Sequence, residues 1–287
     1  MLKNLDVSAV SLQCRNEYAP LRSVLMCTPT YMQIEEVINE IQKHYVEVNI
    51  DIDRSVSQFN TVVEFLTQRG IRVELIPEDP LLPEQVFTRD IGVVIDNQLV
   101  RAALRCSIRQ TEEQVFQDWL HRNRIQSVRT LNFFEGGDIV IDRNTIWVGV
   151  GNRTSLEVVE EFRKLFPHRE VIALPFQEIY LHLDCVFNLL SPDEALIFKD
   201  AFDAESLRLL EKRYRLIEVP EEEQFTLATN VLSVGAGHVI SLPHNRVTNQ
   251  AMRQAGLIVH EIDLSEIIKS GGSFRCITLP LQRQDQN

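Results

Sequence analysis

A repeated unit of secondary structure is the feature of this sequence that most constrains its fold. Four times along the chain, two short apolar runs joined by a tight turn are followed by an amphipathic helical pattern and then by a third apolar run. The hairpin turns fall near residues 96, 143, 193 and 236, a spacing of roughly 45 residues. A supersecondary unit that recurs with such a period is typical of repeat architectures, which often close on themselves.

The two ends of the chain can supply a fifth unit. Residues 274–281 form a predicted last strand with no hairpin partner after it, and residues 21–27 form a predicted first strand that also lacks a partner. If these two strands pair, the array closes. Two helices are predicted before the first complete unit, over residues 33–45 and 53–69. Because no shift in composition interrupts the array, residues 1–287 are predicted to form a single domain of the α/β class.

Charge and composition argue against several classes of protein. The chain carries 29 basic and 41 acidic residues without a basic run, which disfavours a nucleic-acid partner. No apolar run is long enough for a membrane-spanning helix, and residues 1–9 lack the basic-then-apolar order of a signal peptide. The five cysteines are widely spaced without a CxxC pair, which favours the cytoplasm over a disulfide framework or a zinc ribbon. The sequence leaves open whether the chain forms a homo-oligomer.

Polar residues stand where the predicted hairpins begin. They form the stretches Phe87-Thr88-Arg89-Asp90, Glu135-Gly136-Gly137-Asp138 and Leu181-His182-Leu183-Asp184, and a fourth stretch, Gly271-Gly272-Ser273-Phe274-Arg275-Cys276, opens the last strand. The period of two along a strand puts His182 and Asp184 on one face. Equivalent positions of a closed array converge on its axis. One pocket is therefore predicted to hold Asp90, Glu135, His182, Asp184 and Cys276.

Such a pocket needs a cationic guest. Three carboxylates, an imidazole and a thiol would otherwise repel one another and take up protons. A guanidinium is planar, carries only hydrogen-bond donors and stays protonated, so it fits. Its central carbon can be attacked by a thiolate, which a nearby histidine and a bound cation favour. Other interpretations stay open: Cys276 as a buried structural cysteine, His182 as a core histidine tethered by a carboxylate, or a metal site, although no tight ligand spacing supports one.

Five motifs, in their order and spacing, resemble those of the guanidino-group-modifying pentein superfamily. They are FTRD (87–90), EGGD (135–138), GNRTS (151–155), HLD (182–184) and GGSFRC (271–276). The superfamily includes arginine deiminases, dimethylarginine dimethylaminohydrolases and amidinotransferases. The resemblance covers essentially the whole chain and implies a five-bladed α/β propeller of ββαβ repeats around a central active site, in agreement with the repeat count. It also implies catalysis without a metal or another cofactor.

The resemblance implies a catalytic role for three residues. Cys276 matches the nucleophile, which forms a covalent thiouronium with the guanidine carbon. His182 matches the general acid that protonates the departing ammonia or amine and then the base that activates water. One side chain can serve both steps if its pKa lies near neutrality. Glu135 matches the carboxylate that contacts the guanidine and orients the histidine.

The resemblance also implies five substrate-binding residues. Asp90 and Asp184 match acids that bind the guanidinium, and Arg153 matches an arginine that binds the substrate α-carboxylate. By spacing alone, Arg109 matches a second such arginine, and Glu84 matches an acid near the α-amino group. Buried arginines are costly unless a carboxylate joins them, so a small free amino acid is the expected partner.

The predicted reaction is hydrolysis of free arginine or an Nω-substituted arginine to citrulline and ammonia or an alkylamine. The presence of an acid at Asp184 resembles the arginine deiminases, whereas the short length of the chain resembles the dimethylarginine enzymes. Amidinotransferases and arginine dihydrolases are alternatives with the same nucleophile, although the dihydrolases carry Asn where this chain has Asp90. A catalytically silent propeller that only binds a partner is the alternative from another class. Residues 18–45 are predicted to contain the lid of the pocket.

Overall fold

The computed structural model describes residues 10–284, which form 15 strands and eight helices. The strands are β1 (Leu21–Met26), β2 (Arg72–Leu75), β3 (Gly92–Ile95), β4 (Gln98–Arg101), β5 (Ser127–Arg129), β6 (Ile139–Asp142), β7 (Thr145–Val150), β8 (Glu170–Pro175), β9 (Phe187–Leu189), β10 (Glu194–Ile197), β11 (Arg215–Glu218), β12 (Leu232–Gly235), β13 (His238–Ser241), β14 (Ile258–Glu261) and β15 (Leu279–Arg283). The helices are α1 (Glu40–Tyr45), α2 (Ile52–Gln68), α3 (Ser107–Gln110), α4 (Glu112–Arg122), α5 (Glu157–Leu165), α6 (Ala204–Glu211), α7 (Glu221–Gln224) and α8 (Arg246–Gln254).

Within the described residues, the strands form five sheets of three strands each. In every sheet the middle strand pairs antiparallel with one neighbour and parallel with the other. The parallel neighbour is the strand that follows one or two helices in the chain. Strands β4, β7, β10 and β13 are the middle strands of the four units predicted from the hairpin spacing. The repeated ββαβ unit is therefore confirmed.

The fifth sheet joins the two ends of the described chain. Strand β15 pairs antiparallel with β1, with Leu25 opposite Leu279, and β1 pairs parallel with β2. The predicted pairing of the first and last strands is therefore confirmed. The last strand begins at Leu279, however, and not at residue 274 as predicted.

Five equivalent residues, 46 or 48 positions apart, lie just before the first strand of each unit: Asp90, Asp138, Asp184, Asn230 and Cys276. A hydrogen bond links each of these turns to the next, from Gly136 N to Asp90 O (3.0 Å), Leu183 N to Asp138 Oδ1 (2.8 Å), Asn230 Nδ2 to Asp184 O (3.4 Å), Cys276 N to Asn230 Oδ1 (3.2 Å) and Arg89 N to Cys276 O (3.0 Å). The five turns thus form a closed ring, in which neighbouring units satisfy one another's buried polar groups.

The helices pack apolar faces against the sheets, as α2 illustrates. Its buried side chains include Phe59, Val62 and Leu66, which are three and four residues apart and share one face. Burying a side chain of this size contributes about 1.5–3 kcal/mol. Asp51 caps the helix by accepting a hydrogen bond from Arg54 N (3.1 Å), and Gly70, with φ of 72°, lets the chain turn towards β2.

None of the helices in residues 10–284 is long and apolar enough to cross a membrane. The prediction about a signal peptide concerns residues 1–9, which lie outside the described residues.

Glu17, in the segment before β1, is buried between two motif arginines. Its carboxylate accepts hydrogen bonds from Arg89 Nη2 (3.1 Å) and Arg275 Nη1 (2.6 Å). Both arginines also donate to the carbonyl of Ile139 (2.7 and 3.0 Å). Burial opposes ionisation of Glu17, but the charges of Arg275 and Arg89 outweigh it and hold the pKa of Glu17 well below its usual range. The two arginines therefore tie the units together around a central carboxylate.

The polar motifs lie in turns and not in strands, which corrects the predicted strand starts. The motifs at 87–90 and 181–184 were predicted to begin strands, but β3 begins only at Gly92 and β9 only at Phe187. His182 precedes a short 3-10 turn over Leu183–Cys185, so the alternation that placed His182 and Asp184 on one strand face is wrong. The physical reason is the ring of hydrogen bonds between units, which requires a tight turn at each of these positions.

Candidate active site

His182 lies in a buried cluster of charged side chains. Its Nε2 is 2.7 Å from Glu135 Oε2, and its Nδ1 is 3.7 Å from Asp90 Oδ1. Burial works against a charged imidazole, but the charge of Asp90 and the hydrogen bond to Glu135 outweigh it and raise the pKa of His182 to about 10. His182 is therefore an imidazolium at neutral pH in the free protein, which differs from the near-neutral pKa that we expected.

Glu135 lies between two cations. Arg153 Nη1 donates to both carboxylate oxygens (3.2 and 3.1 Å), and His182 binds Oε2. Burial alone would raise the pKa of Glu135, but Arg153 and His182 hold it well below its usual range. Arg153 Nη2 donates to the carbonyl of Ile38 (2.8 Å). The sequence therefore placed Glu135 and His182 together correctly, and it did not anticipate that Arg153 joins them.

Arg109 forms a buried ion-pair network with two acids. It donates from Nε and Nη2 to Glu112 (2.9 Å each), from Nη1 to Asp90 Oδ2 (2.6 Å), and from Nη2 to the carbonyl of Phe87 (3.2 Å). Four of its five N–H groups are thus engaged within the protein. In this structure Arg109 holds Asp90, and its role as a second ligand of the substrate α-carboxylate stays a prediction. Glu112, which lies three residues after Arg109 at the start of α4, was not predicted as a site residue.

Cys276 lies in a turn over residues 274–277 and is 1% exposed. Its N–H donates to Asn230 Oδ1 (3.2 Å), and its carbonyl accepts from Arg89 N (3.0 Å). A Cβ atom on Gly272 would lie 2.3 Å from the Phe87 ring and 2.9 Å from Cβ of Cys276, so only glycine fits there. The main chain therefore fixes the thiol from both sides.

Asp184 lies beside the thiol. A carboxylate oxygen of Asp184, Sγ of Cys276 and Sγ of Cys185 all lie within 4.8 Å of one another. Arg275 Nε donates to Asp184 Oδ2 (3.1 Å). Burial raises the pKa of Asp184, against the opposing charges of Arg275 and His182. The structure thus brings Asp184 and Cys276 together, as predicted, but one Asp184 oxygen already has a cationic partner.

Two groups of side chains have donor atoms close enough to share a metal ion: Asp184 with Cys185 and Cys276, and Asp90 with Glu135 and His182. Arginines already compensate each carboxylate. Arg275 binds Asp184, Arg153 binds Glu135, and Arg109 binds Asp90. A divalent ion at either group would be repelled by these cations.

Glu84 lies where α1 meets the loop before Cys276. Gln42 Nε2 donates to Glu84 Oε1 (2.7 Å) and to Ser270 Oγ (2.6 Å), and Ser270 Oγ donates in turn to Glu84 (3.0 Å). Burial raises the pKa of Glu84 to about 7, although the charge of Arg109 and these hydrogen bonds oppose it. Glu84 is therefore poised to change its charge near neutral pH.

The region predicted to contain the lid, residues 18–45, is only in part a segment beside the site. Residues 21–26 form β1 in the core, and α1 begins at Glu40, so neither the predicted lid over 18–45 nor the predicted helix over 33–45 keeps its bounds. Asn39 Nδ2 donates to the carbonyl of Ser270 (3.0 Å). Gly271 has φ of 94°, and a Cβ there would lie 2.8 Å from the Asn39 amide. Residues 27–45 thus hold the loop that leads to Cys276.

Thr154 and Asp138 position the catalytic candidates and were missed. Thr154 Oγ1 donates to Asp138 Oδ2 (2.6 Å) and accepts from Glu135 N (3.1 Å), while Asp138 Oδ1 accepts from Leu183 N (2.8 Å). These bonds hold the backbone at Glu135 and directly after His182. Helix α5 begins at Glu157, so the Thr154 hydroxyl serves these bonds and not the start of the helix. The spacing between Asp90, Asp138 and Asp184 was the available signal for Asp138.

A family model for eukaryotic N,N-dimethylarginine dimethylhydrolase matches residues 28–283. The protein YkgA of Bacillus subtilis is 46% identical over 284 residues, which cover 97% of this chain and 99% of YkgA. The bifunctional arginine dihydrolase/ornithine cyclodeaminase ArgZ of Synechocystis is 30% identical over 267 residues, which cover 89% of this chain and 37% of ArgZ.

A solved structure shows the same architecture. The N-terminal domain of ArgZ, described as an arginine dihydrolase and solved with its substrate bound, superimposes with a TM-score of 0.85 at 28% identity. The match covers 91% of this chain and 98% of that domain. The five-unit fold derived above is thus the fold of a protein domain that acts on arginine.

Proposed function

This chain belongs to the N,N-dimethylarginine dimethylhydrolase family of the pentein superfamily, whose members act on guanidino C–N bonds, and we propose that it hydrolyses free arginine or an Nω-substituted arginine to citrulline. The other product is ammonia or an alkylamine. The reaction runs within one catalytic domain, in the cytoplasm, and without a metal or another cofactor.

One observation carries the proposal. Asp90 Oδ1 and His182 Nδ1 are both buried and have no hydrogen-bond partner among the described residues. Buried polar atoms are rarely left unpaired, and an unpaired one costs about 1–3 kcal/mol. A guanidinium N–H would satisfy Asp90, and a leaving nitrogen or a water would satisfy His182.

The reaction proceeds in two halves. The Cys276 thiolate forms a bond to the guanidine carbon, and His182 gives a proton to the departing nitrogen as its C–N bond breaks. A water molecule then gives a proton to His182 and adds its oxygen to the thiouronium carbon. The C–S bond breaks, its electrons return to sulfur, and citrulline leaves. Asp90 and Asp184 hold the positive charge in both halves, and Glu135 orients the imidazole through its 2.7 Å contact.

The high pKa of His182 in the substrate-free protein is compatible with its roles as proton donor and proton acceptor. Without substrate, Asp90 and Glu135 favour the imidazolium, which is the form needed to donate a proton. A bound guanidinium beside Asp90 offsets that carboxylate, and its own positive charge disfavours the imidazolium. The pKa of His182 therefore falls when substrate binds, which makes proton transfer in both directions easier.

The amino-acid end of the substrate meets Arg153 and Glu84. The Nε of Arg153 donates to none of the described residues, so this guanidinium has donors left for an α-carboxylate. Glu84 offers a carboxylate to the α-ammonium once it is ionised. Arg109 has one N–H left and acts mainly by fixing Asp90.

Product analysis tests the proposal. Purified protein in EDTA is given arginine, monomethylarginine, asymmetric dimethylarginine and agmatine separately, with the Cys276→Ser variant as control. Citrulline that is lost in the variant supports the proposal, and the preferred substrate shows whether Asp184 binds an unsubstituted guanidinium. The absence of citrulline from arginine and both methylated substrates would overturn it, as would loss of activity in EDTA that added metal restores.

Arginine dihydrolysis is the second candidate, and the similarity to ArgZ favours it. In that reaction the ureido product is cleaved again to ornithine. Asp90 argues against it, since the dihydrolases resemble this chain but carry Asn there. Ornithine without citrulline in the same assay would favour this candidate or, if an added amine becomes guanidinylated, an amidinotransferase.

A further inference from the structure

Cys185 is a second thiol at the reaction centre. Its Sγ, Sγ of Cys276 and an oxygen of Asp184 all lie within 4.8 Å of one another. Both cysteines are 1% exposed. Cys185 ends the 3-10 turn over Leu183–Cys185, and Cys276 lies in the turn over 274–277. Neither thiol lies on a strand.

The two thiols are close enough to be bridged. A disulfide has an S–S distance of about 2.05 Å and Cβ atoms about 3.5–4.5 Å apart. Sulfur atoms that already lie within 4.8 Å reach bonding distance by rotation of the two side chains with a small movement of the turns. The thiols of the other two buried cysteines each donate to a backbone carbonyl: Cys14 to Pro280 O (3.6 Å) and Cys27 to Thr28 O (3.7 Å).

A cavity of about 270 Å³ opens on Cys185 and not on Cys276. Its walls are mainly apolar and include Leu181, Phe198, Leu227 and, from α1, Ile41. A neutral molecule such as hydrogen peroxide can enter such a cavity more easily than an ion. Because Sγ of Cys185 and Sγ of Cys276 lie within 4.8 Å of each other, a small oxidant that enters from the Cys185 side comes next to the Cys276 sulfur.

We propose that Cys185 is the resolving cysteine of a peroxide-sensitive pair, and that oxidation joins it to Cys276 in a reversible disulfide that switches the enzyme off. The Cys276 thiolate attacks one peroxide oxygen, the O–O bond breaks, and hydroxide leaves, which gives a sulfenic acid. The Cys185 sulfur then attacks the sulfenic sulfur, and the S–O bond breaks with release of water. In total, two thiols and one peroxide give one disulfide and two waters, and the two sulfurs supply the two electrons.

Asp184 assists the second step. Cys185 Sγ lies 3.7 Å from Asp184 Oδ1, so this carboxylate can accept the thiol proton as the S–S bond forms. The disulfide also protects the nucleophile, because a sulfenic acid without a nearby thiol is oxidised further to sulfinic acid, which thiol reductants do not reverse. The alternative is that Cys185 is only a small apolar side chain in a buried position.

The experiment uses the full-length protein, reduced and then exposed to graded hydrogen peroxide before the peroxide is removed. The wild type is expected to lose the mass of two hydrogen atoms, to give a cross-linked peptide pair containing residues 185 and 276, and to regain activity with dithiothreitol. A Cys185→Ser variant is expected to lose activity with peroxide without regaining it. Cys106→Ser removes a more exposed thiol and should behave like the wild type.

The first readout, the 185–276 cross-link, does not depend on catalysis. Absence of the 185–276 cross-link in the oxidised wild type overturns the proposal, even if the variants fail to fold. Recovery of Cys185→Ser with dithiothreitol to the same extent as the wild type also overturns it. The cross-link is detected by mass and needs no activity. A protein that forms the cross-link but yields no citrulline would therefore contradict the proposed hydrolysis and still support the proposed pairing of Cys185 with Cys276.

Discussion

The Nδ1 atom of His182 lies 3.7 Å from Oδ1 of Asp90, and neither atom has a hydrogen-bond partner among the described residues. The other sides of both groups are fully engaged, since Nε2 binds Glu135 and Oδ2 binds Arg109. Both groups are thus held in place, and each keeps one unpaired polar atom. This is the arrangement that a planar cation with N–H donors would complete.

Asp90→Asn should lower kcat/KM by about 100-fold or more, because it removes a ligand of the guanidinium and the charge that favours the imidazolium. The pKa of His182 in the free protein is raised by Asp90, so its removal should move the alkaline limb of the pH–kcat/KM profile to lower pH. Steady-state rates across pH check both effects. An unchanged alkaline limb would contradict the link between the two residues.

Glu84→Gln should change the pH dependence of stability. Because burial raises the pKa of Glu84 from 4.5 to about 7, its stabilising contribution is complete below about pH 4.5 and is lost as pH rises through 7. The variant should therefore melt at a higher temperature than the wild type above neutrality and show no advantage at about pH 5. Thermal denaturation at several pH values measures this. A variant that is less stable at every pH would contradict the raised pKa.

Thr154→Val should reduce kcat by about 10-fold or more with little change in KM, because it leaves the Glu135 N–H and an Asp138 oxygen unpaired and loosens the Glu135–His182 pair. Thr154→Ser keeps the hydroxyl and should restore most of the rate. A pH profile taken alongside distinguishes positioning from simple loss of stability. Equal losses in the two variants would contradict a specific role of the hydroxyl, because Thr154→Ser retains it.

Gly271→Ala should weaken substrate binding, whereas Gly256→Ala should not. Both glycines have φ near 90°, so either substitution costs about 1–2 kcal/mol in backbone strain. Only at Gly271 does the added carbon meet the Asn39 amide, at 2.8 Å, and nothing lies within 4 Å of it at Gly256. KM should rise only for Gly271→Ala, while the melting temperature should fall by a similar amount in both variants. An equal KM in both variants would show that Asn39 has no part in covering the site.

Glu112→Gln should destabilise the protein by about 3–5 kcal/mol, because it leaves the buried Arg109 guanidinium with one carboxylate. Glu160→Gln breaks an exposed pair with Arg163 at the same three-residue spacing and should cost less than about 1 kcal/mol. Urea denaturation compares the two. A small effect at Glu112 would mean that Asp90 alone satisfies Arg109.

The sequence predicts the architecture well because the fold is encoded locally. Each hairpin has its own turn signal and each helix its own apolar spacing, so the units could be counted without tertiary information. Pairing of β1 with β15 followed from the count alone. Strand starts were wrong at the polar motifs, since Asp90 and His182 lie in local turns, and the bonds that link these turns to neighbouring units are not visible in the sequence.

The candidate site was only partly accessible from sequence. Residue type and order placed Glu135, His182 and Asp90 in one cluster, but the partners that set their charge states could not be seen. Glu17 has no local signal at all, since a single acid in an irregular segment matches no pattern. Arg109 shows the limit of spacing arguments: its spacing from Asp90 could not show that Asp90 and Glu112 bind its guanidinium.

The pairing of β1 with β15 also bears on how the chain folds. Four sheets use strands that are close in sequence, whereas this sheet joins Val24 to Pro280 and carries the largest loop-closure entropy. We expect it to form last during refolding. The turn with Cys276 immediately precedes β15, so an intermediate with four formed sheets would contain His182 and Glu135 but no placed nucleophile. Recovery of activity after dilution from denaturant should therefore lag behind the return of secondary structure, and activity reports when the ring has closed.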